Sequence, residues 1–229
     1  MALMLLASVL FLSTHLGISS TNLRGHLVGM VGERGYLGVY SLVALLTLGY
    51  LIWVYAALPR YPYLWEPSPI LYALPKVIMP FAAILLVGGF MVRNPTAVGM
   101  EGSLARGRDA DSLTAGLIRV TRHPFQWAVV LWAGAHLLAN GDSVSVVFFG
   151  TFLVLGLAGG LLIDRKKAAR LGDEWEPFAR VTSNVPFAAI VAGRNRLAIK
   201  ELIAPVLVGL VTYVLLYLAH PWLSGVRLV

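Results

Sequence analysis

The chain has 229 residues, 58% apolar and only 13% charged, with a mean hydropathy of +0.78. Those proportions exclude an ordinary soluble domain and place the chain in the membrane class. It contains no cysteine, which excludes disulfides, thiolate metal ligands and thiol nucleophiles and leaves histidine, carboxylate and hydroxyl for chemistry.

A helix needs about 20 apolar residues to cross about 30 Å of hydrocarbon. Six runs approach that length: Ala2–Ser19, Tyr36–Ala57, Ile70–Val92, Phe125–Ala139, Val144–Ile163 and Leu202–Ala219. They predict an all-α integral membrane protein, a bundle of about six transmembrane helices forming one domain over residues 1–229. The first run lacks a positively charged start and an Ala-x-Ala cleavage pattern and contains His15, so it reads as a span and not as a signal peptide. Lys76, six residues into the third run, either snorkels outward or meets an anionic group. The fourth and fifth runs are separated by Asn140-Gly141-Asp142, strong turn chemistry that predicts a tight helical hairpin. Two long loops remain, 93–124 and 164–200. In the second, Asp164–Pro186 mixes charge with Leu171, Trp175 and Phe178 and predicts a short amphipathic helix at the headgroups. Trp53, Tyr55, Tyr61, Tyr63, Trp65 and Trp222 fall where aromatic belts form.

Basic residues set the expected orientation, because positive loops stay in the cytoplasm. Arg24 and Arg34, then Arg93, Arg106, Arg108, Arg119 and Arg122, then Arg165, Lys166, Lys167, Arg170, Arg180, Arg194, Arg196 and Lys200 follow helices one, three and five. Only Arg60 and Arg227 oppose them. Both termini are therefore expected on the non-cytoplasmic side. The net charge of +7 reads as an orientation signal, not a nucleic-acid footprint.

Two of the five histidines fall within spans. At 1.5 Å of rise per residue, His15 lies about 20 Å below the outer face and His136 about 5–12 Å below it. A polar residue at such depth is costly and marks a functional site by default. Two imidazoles on facing helices can hold a flat macrocycle by its iron, or can serve as interhelical hydrogen bonders. A zinc ion would need three or four ligands, and no carboxylate inside the spans supplies the rest. Trp127 and Trp132 share the helix of His136 and either pack on such a macrocycle or fill the bundle. His26, His123 and His220 are peripheral.

The segments FLSTHLGISS (Phe11–Ser20), LWEPSP (Leu64–Pro69), HLLANGD (His136–Asp142) and HPWLSGVRL (His220–Leu228) together resemble the NnrU family. This is a group of bacterial membrane proteins associated with denitrification and nitric oxide metabolism and related to the 15-cis-ζ-carotene isomerases. The resemblance runs nearly end to end. It implies a multi-pass protein of the bacterial inner membrane that binds haem b, with His15 and His136 as iron ligands and catalytic groups. By the same token Arg122 and His123, in RHP, would tune the cofactor site or hold a propionate. The implied function is cis–trans isomerisation of a lipophilic polyene or a part in nitric oxide metabolism, with membrane lipids, a lipophilic substrate and an electron donor as partners. A looser likeness covers Arg122-His123-Pro124, Leu171-Gly172, Trp175 and Phe178, which resemble the isoprenylcysteine carboxyl methyltransferase superfamily and imply S-adenosylmethionine as the alternative cofactor.

Overall fold

A computed structural model describes residues 1–18, 23–97, 100, 104 and 113–226. Ser19, Ser20, Arg106, Arg108, Arg227 and Leu228, which entered the motif and charge arguments, lie outside the described residues. Helix α1 is Ala2–Leu12 and continues as a π-helical turn over Ser13–Ile18. It is followed by α2 (Leu23–Ala57), α3 (Pro69–Phe90), α4 (Leu117–Val120), α5 (Pro124–Ala139) and α6 (Ser143–Leu171). A 3₁₀ turn at Gly172–Glu174 leads to α7 (Glu176–Val181), α8 (Ala188–Val191) and α9 (Ile199–Ser224). No strand occurs among the described residues; an isolated bridge joins Tyr63 and Asp142. Among the described residues the six apolar runs are helical, except that the third helix ends at Phe90, before Met91 and Val92. Four helices are long and apolar enough to cross a membrane: α2, α3, α6 with its 3₁₀ extension, and α9. The apolar helices Ala2–Ile18 and Pro124–Ala139 are shorter.

Three elements depart from the expected boundaries. Helix α2 begins at Leu23, not Tyr36, and Gly32 breaks it with φ 73° and ψ 166°, a conformation only glycine takes cheaply. An Arg24–Glu33 ion pair spans the break, and the Arg24 guanidinium lies over the Tyr36 ring at 5.2 Å. Helix α6 runs on past Ile163 to Leu171, with the Asp164 carboxylate paired to Arg122 and hydrogen-bonded by His123. The amphipathic helix expected at the headgroups is instead a 3₁₀ turn and α7, with Trp175 and Phe178 buried against Leu104, Leu113 and Ile118. Apolar side chains that find a protein core have no reason to lie in lipid.

The chain divides into two compact units, Met1–Pro75 with Ala133–Leu162, and Lys76–Trp132 with Ile163–Val229. In the first, α1 buries Met4, Ala7, Ser8 and Phe11, one face at helical spacing, and leaves Leu3, Leu5, Leu6, Val9 and Leu10 exposed. Leu and Val side chains left on the outside are the pattern of a helix whose outer solvent is hydrocarbon.

In the second unit, small residues let backbones approach. A Cβ added to Gly209 of α9 would stand 2.5 Å from the Ile84 Cα and 2.9 Å from its amide nitrogen, both backbone atoms of α3. Gly209→Ala is therefore expected to cost about 1–3 kcal/mol through overpacking, seen as a lowered Tm in detergent. An unchanged Tm would mean that α3 and α9 do not meet there. The same unit carries a part-buried ion pair: the buried Arg119 donates from Nε and Nη2 to the two oxygens of Glu201 at 2.9 and 3.0 Å. The Gly116 N–H adds a third bond to Glu201 at 2.7 Å, so this charge at the start of α9 is fully occupied.

Candidate functional site

His15 sits in the π-helical turn that ends the first helix. Such turns break the i→i−4 ladder and recur at functional sites, because the displaced carbonyls become available to side chains. Here the Phe11 carbonyl accepts a hydrogen bond from His15 Nδ1 at 2.9 Å. A carbonyl can only accept, so Nδ1 carries the proton and, in the neutral ring, Nε2 carries the lone pair. The ring is half-buried and packs on Phe11, centroid to centroid 4.0 Å, with Tyr40 beyond it at 6.4 Å.

His136 lies in the last turn of α5. Its own carbonyl is held by Asn140, through the backbone N–H at 3.0 Å and the side-chain amide at 2.7 Å, so Asn140 caps this helix. The next helix is capped in turn by Asp142, whose Oδ1 accepts the Ser145 N–H at 2.8 Å. The hairpin and its capping roles thus follow the turn chemistry of Asn-Gly-Asp. Gly141 is required because a Cβ there would fall 1.8 Å from the Trp65 carbonyl oxygen. The Leu64 N–H bonds the Gly141 carbonyl at 2.7 Å, and Trp65 Nε1 donates to the Leu138 carbonyl at 3.1 Å. The LWEPSP segment and the HLLANGD turn, distant in sequence, therefore clasp each other and fix where His136 stands.

Both histidines belong to the first unit, and a ladder of phenyl rings joins them. From His15 it passes to Phe11, then Phe152 at 5.3 Å, Phe148 at 5.1 Å, Phe149 at 5.2 Å and His136 at 5.2 Å. Tyr55 stacks on Phe148 at 3.9 Å and bonds Ser145 Oγ at 3.1 Å. These phenylalanines were not singled out in the sequence, where Phe148, Phe149 and Phe152 read as ordinary span residues. Their 1–2–5 spacing on α6 was the available signal, since such positions share a helix face. Among the described residues no three His, Asp or Glu side chains gather as a metal ligand set.

Arg122 and His123 lie in the second unit and are engaged there. Asp164 bridges them, accepting from His123 Nε2 at 2.7 Å and from Arg122 Nε at 3.0 Å. Arg122 Nη1 also reaches the Ala179 carbonyl at 3.1 Å and Thr182 Oγ1 at 3.0 Å, closing the C-terminal end of α7. His123 is fully buried, and its Nδ1 finds no protein partner among the described residues. The RHP segment is thus a clasp between α5, α6 and α7. Trp175 and Phe178, the other residues of the methyltransferase likeness, are core side chains at 5% and 0% exposure. Lys76 is in the same unit, where its carbonyl accepts the Tyr213 hydroxyl. At the end of α9, His220 Nδ1 is bonded to Ser224 Oγ and the Val226 carbonyl.

The 15-cis-zeta-carotene isomerase, chloroplastic, of Zea mays is 30% identical over 196 residues, covering 85% of this chain and 52% of its own length. The Arabidopsis thaliana protein of the same name is 29% identical over 228 residues, covering 97% of this chain and 60% of its own. The chain thus spans between half and two thirds of the length of these relatives. No solved structure matches. The family described as NnrU protein matches residues 3–228, a span that takes in both in-span histidines, the LWEPSP clasp and the Asn-Gly-Asp turn, and the chain belongs to that family.

Proposed function

We propose that the chain is a membrane isomerase acting on a double bond of a lipophilic polyene of the 15-cis-ζ-carotene kind, with haem b held by His15 and His136. The observation that carries this reading is the placement of two half-buried imidazoles at the ends of one phenyl ladder within a single compact unit. His15 and His136 are the residues that would hold the haem iron. Bound there, haem b would supply an iron centre able to draw electron density from a double bond and so lower its barrier to rotation.

The chain's own residues have separate tasks. The Phe11 carbonyl holds the His15 ring by Nδ1–H and so keeps the lone pair on Nε2, the atom that would hold the iron. Asn140 and the Trp65 clasp anchor the end of the helix that delivers His136. Phe11, Phe148, Phe149 and Phe152 pack ring on ring between the two histidines and exclude water from the site. The membrane supplies the substrate laterally, and an electron donor sets the oxidation state. In this reading both termini face away from the cytoplasm of a bacterial inner membrane, as the Lys and Arg distribution asks.

Co-expression in bacteria that accumulate 15-cis-ζ-carotene tests the proposal, with the isomer ratio read by chromatography. Conversion to the 15-trans isomer is expected. A haem-loaded chain that leaves the isomer ratio unchanged would contradict the isomerase reading and turn attention to nitric oxide at the same pair of histidines.

A further inference from the structure

The hydrogen bonds around His15 include a side chain that the proposed function does not use. Thr14 Oγ1 lies 2.9 Å from the Phe11 carbonyl, 3.1 Å from the Leu10 carbonyl and 3.4 Å from His15 Nδ1. It also lies 3.3 Å from Thr47 Oγ1 on α2. Thr47 is 7% exposed in the middle of an apolar helix, and its hydroxyl is also 2.9 Å from the Val43 carbonyl. Two hydroxyls from different helices therefore meet beside one ring nitrogen of a histidine.

A hydroxyl has one proton to give and two lone pairs with which to accept. If Thr14 gives its proton to the Phe11 carbonyl, that oxygen receives both Thr14 Oγ1–H and His15 Nδ1–H, one on each lone pair. A lone pair of Thr14 then faces Nδ1, so both atoms around this nitrogen ask it to be the donor. Thr47 Oγ1 braces the Thr14 hydroxyl when its single proton goes to Thr14 Oγ1 at 3.3 Å instead of to the Val43 carbonyl at 2.9 Å. The alternative tautomer would set the Nδ1 lone pair against the Phe11 carbonyl lone pair, which is repulsive. The arrangement is local to the π-helical turn, whose widened ladder leaves carbonyls for side chains to share.

Resting on the reading of His15 as an iron ligand, we infer that Thr14, which shares the Phe11 carbonyl with His15 Nδ1–H, is the positioning residue that fixes the His15 ring orientation and so sets how firmly Nε2 would be held as a ligand. Partners of this kind change metal affinity by about 10–100-fold when removed, although they never touch the metal.

The test titrates haem into detergent-purified apo-protein for the wild type, Thr14→Val, Thr14→Ser and Thr47→Val, and compares Kd and the oxidised and reduced spectra. In parallel, ¹⁵N NMR of histidine-labelled apo-protein reads which His15 nitrogen carries the proton. Thr14→Val is nearly isosteric and is expected to weaken haem binding about 10–100-fold, with an altered reduced spectrum, while the Phe11 carbonyl keeps the proton on Nδ1. Thr14→Ser keeps the hydroxyl and is expected to restore affinity and spectrum, while Thr47→Val moves them in the same direction by less. Haem uptake by the wild type with an indistinguishable Thr14→Val variant would overturn this inference and leave the ligand assignment standing. No uptake by the wild type would overturn both.

Discussion

Replacing His136 with alanine is expected to lower isomerisation by more than about 100-fold, beyond the 10–100-fold typical of losing a partner that only supports a ligand. The fold should survive. What holds the end of this helix is the His136 carbonyl, taken by Asn140, together with the Leu138 carbonyl taken by Trp65, and alanine keeps both. Alanine is also the strongest helix former. The ring itself stacks on Phe149 at 5.2 Å and is half-exposed, so its removal opens no sealed cavity. Circular dichroism and Tm in detergent should therefore match the wild type while product formation collapses. A variant that unfolds would mean that the ring is a packing group, and a folded variant with full activity would remove His136 from the chemistry.

Asp164→Ala should do the opposite, destabilising the protein by about 3–5 kcal/mol, the range for breaking a buried ion pair by deleting one partner. His123 at 0% and Arg122 at 14% side-chain exposure both depend on this carboxylate, and Asp164 itself is 20% exposed. Without it the His123 ring, which already has one unpartnered nitrogen, loses its remaining side-chain bond, and Arg122 stays near the end of α7 with its charge uncompensated. A loss of this size is a large fraction of a typical domain stability of about 5–15 kcal/mol. Asp164→Asn keeps an acceptor without the charge and should fall between the two. If Arg122 and His123 were instead ligand-binding groups, as the methyltransferase likeness implies, Asp164→Ala would leave Tm unchanged and impair only ligand binding.

Much of the architecture was legible because apolar run length and turn chemistry are local. Phe125–Ala139, Asn-Gly-Asp and Val144 onward read as a hairpin and form one, with Asn140 and Asp142 in capping roles. Segments whose state depends on distant partners were harder to read. Asp164 with Arg165, Lys166 and Lys167 looks like the end of a span, yet α6 continues through them, and the aspartate finds Arg122 and His123, some forty positions earlier, as its partners. Trp175 and Phe178 look interfacial in sequence and are core, since Leu104, Leu113 and Ile118 cover them. The two histidines stood out because imidazole inside a span is costly. Their setting did not, since ring contacts and the Thr14–Thr47 meeting arise only when helices pack.

The central claim is that His15 and His136 hold haem b. It is tested most directly by an absorption spectrum of the detergent-purified chain, oxidised and then dithionite-reduced, beside His15→Ala and His136→Ala, from cells with ample haem. The account predicts a b-type spectrum in the wild type that is lost or altered in each variant. A colourless wild type, or variants with an unchanged spectrum, would contradict it.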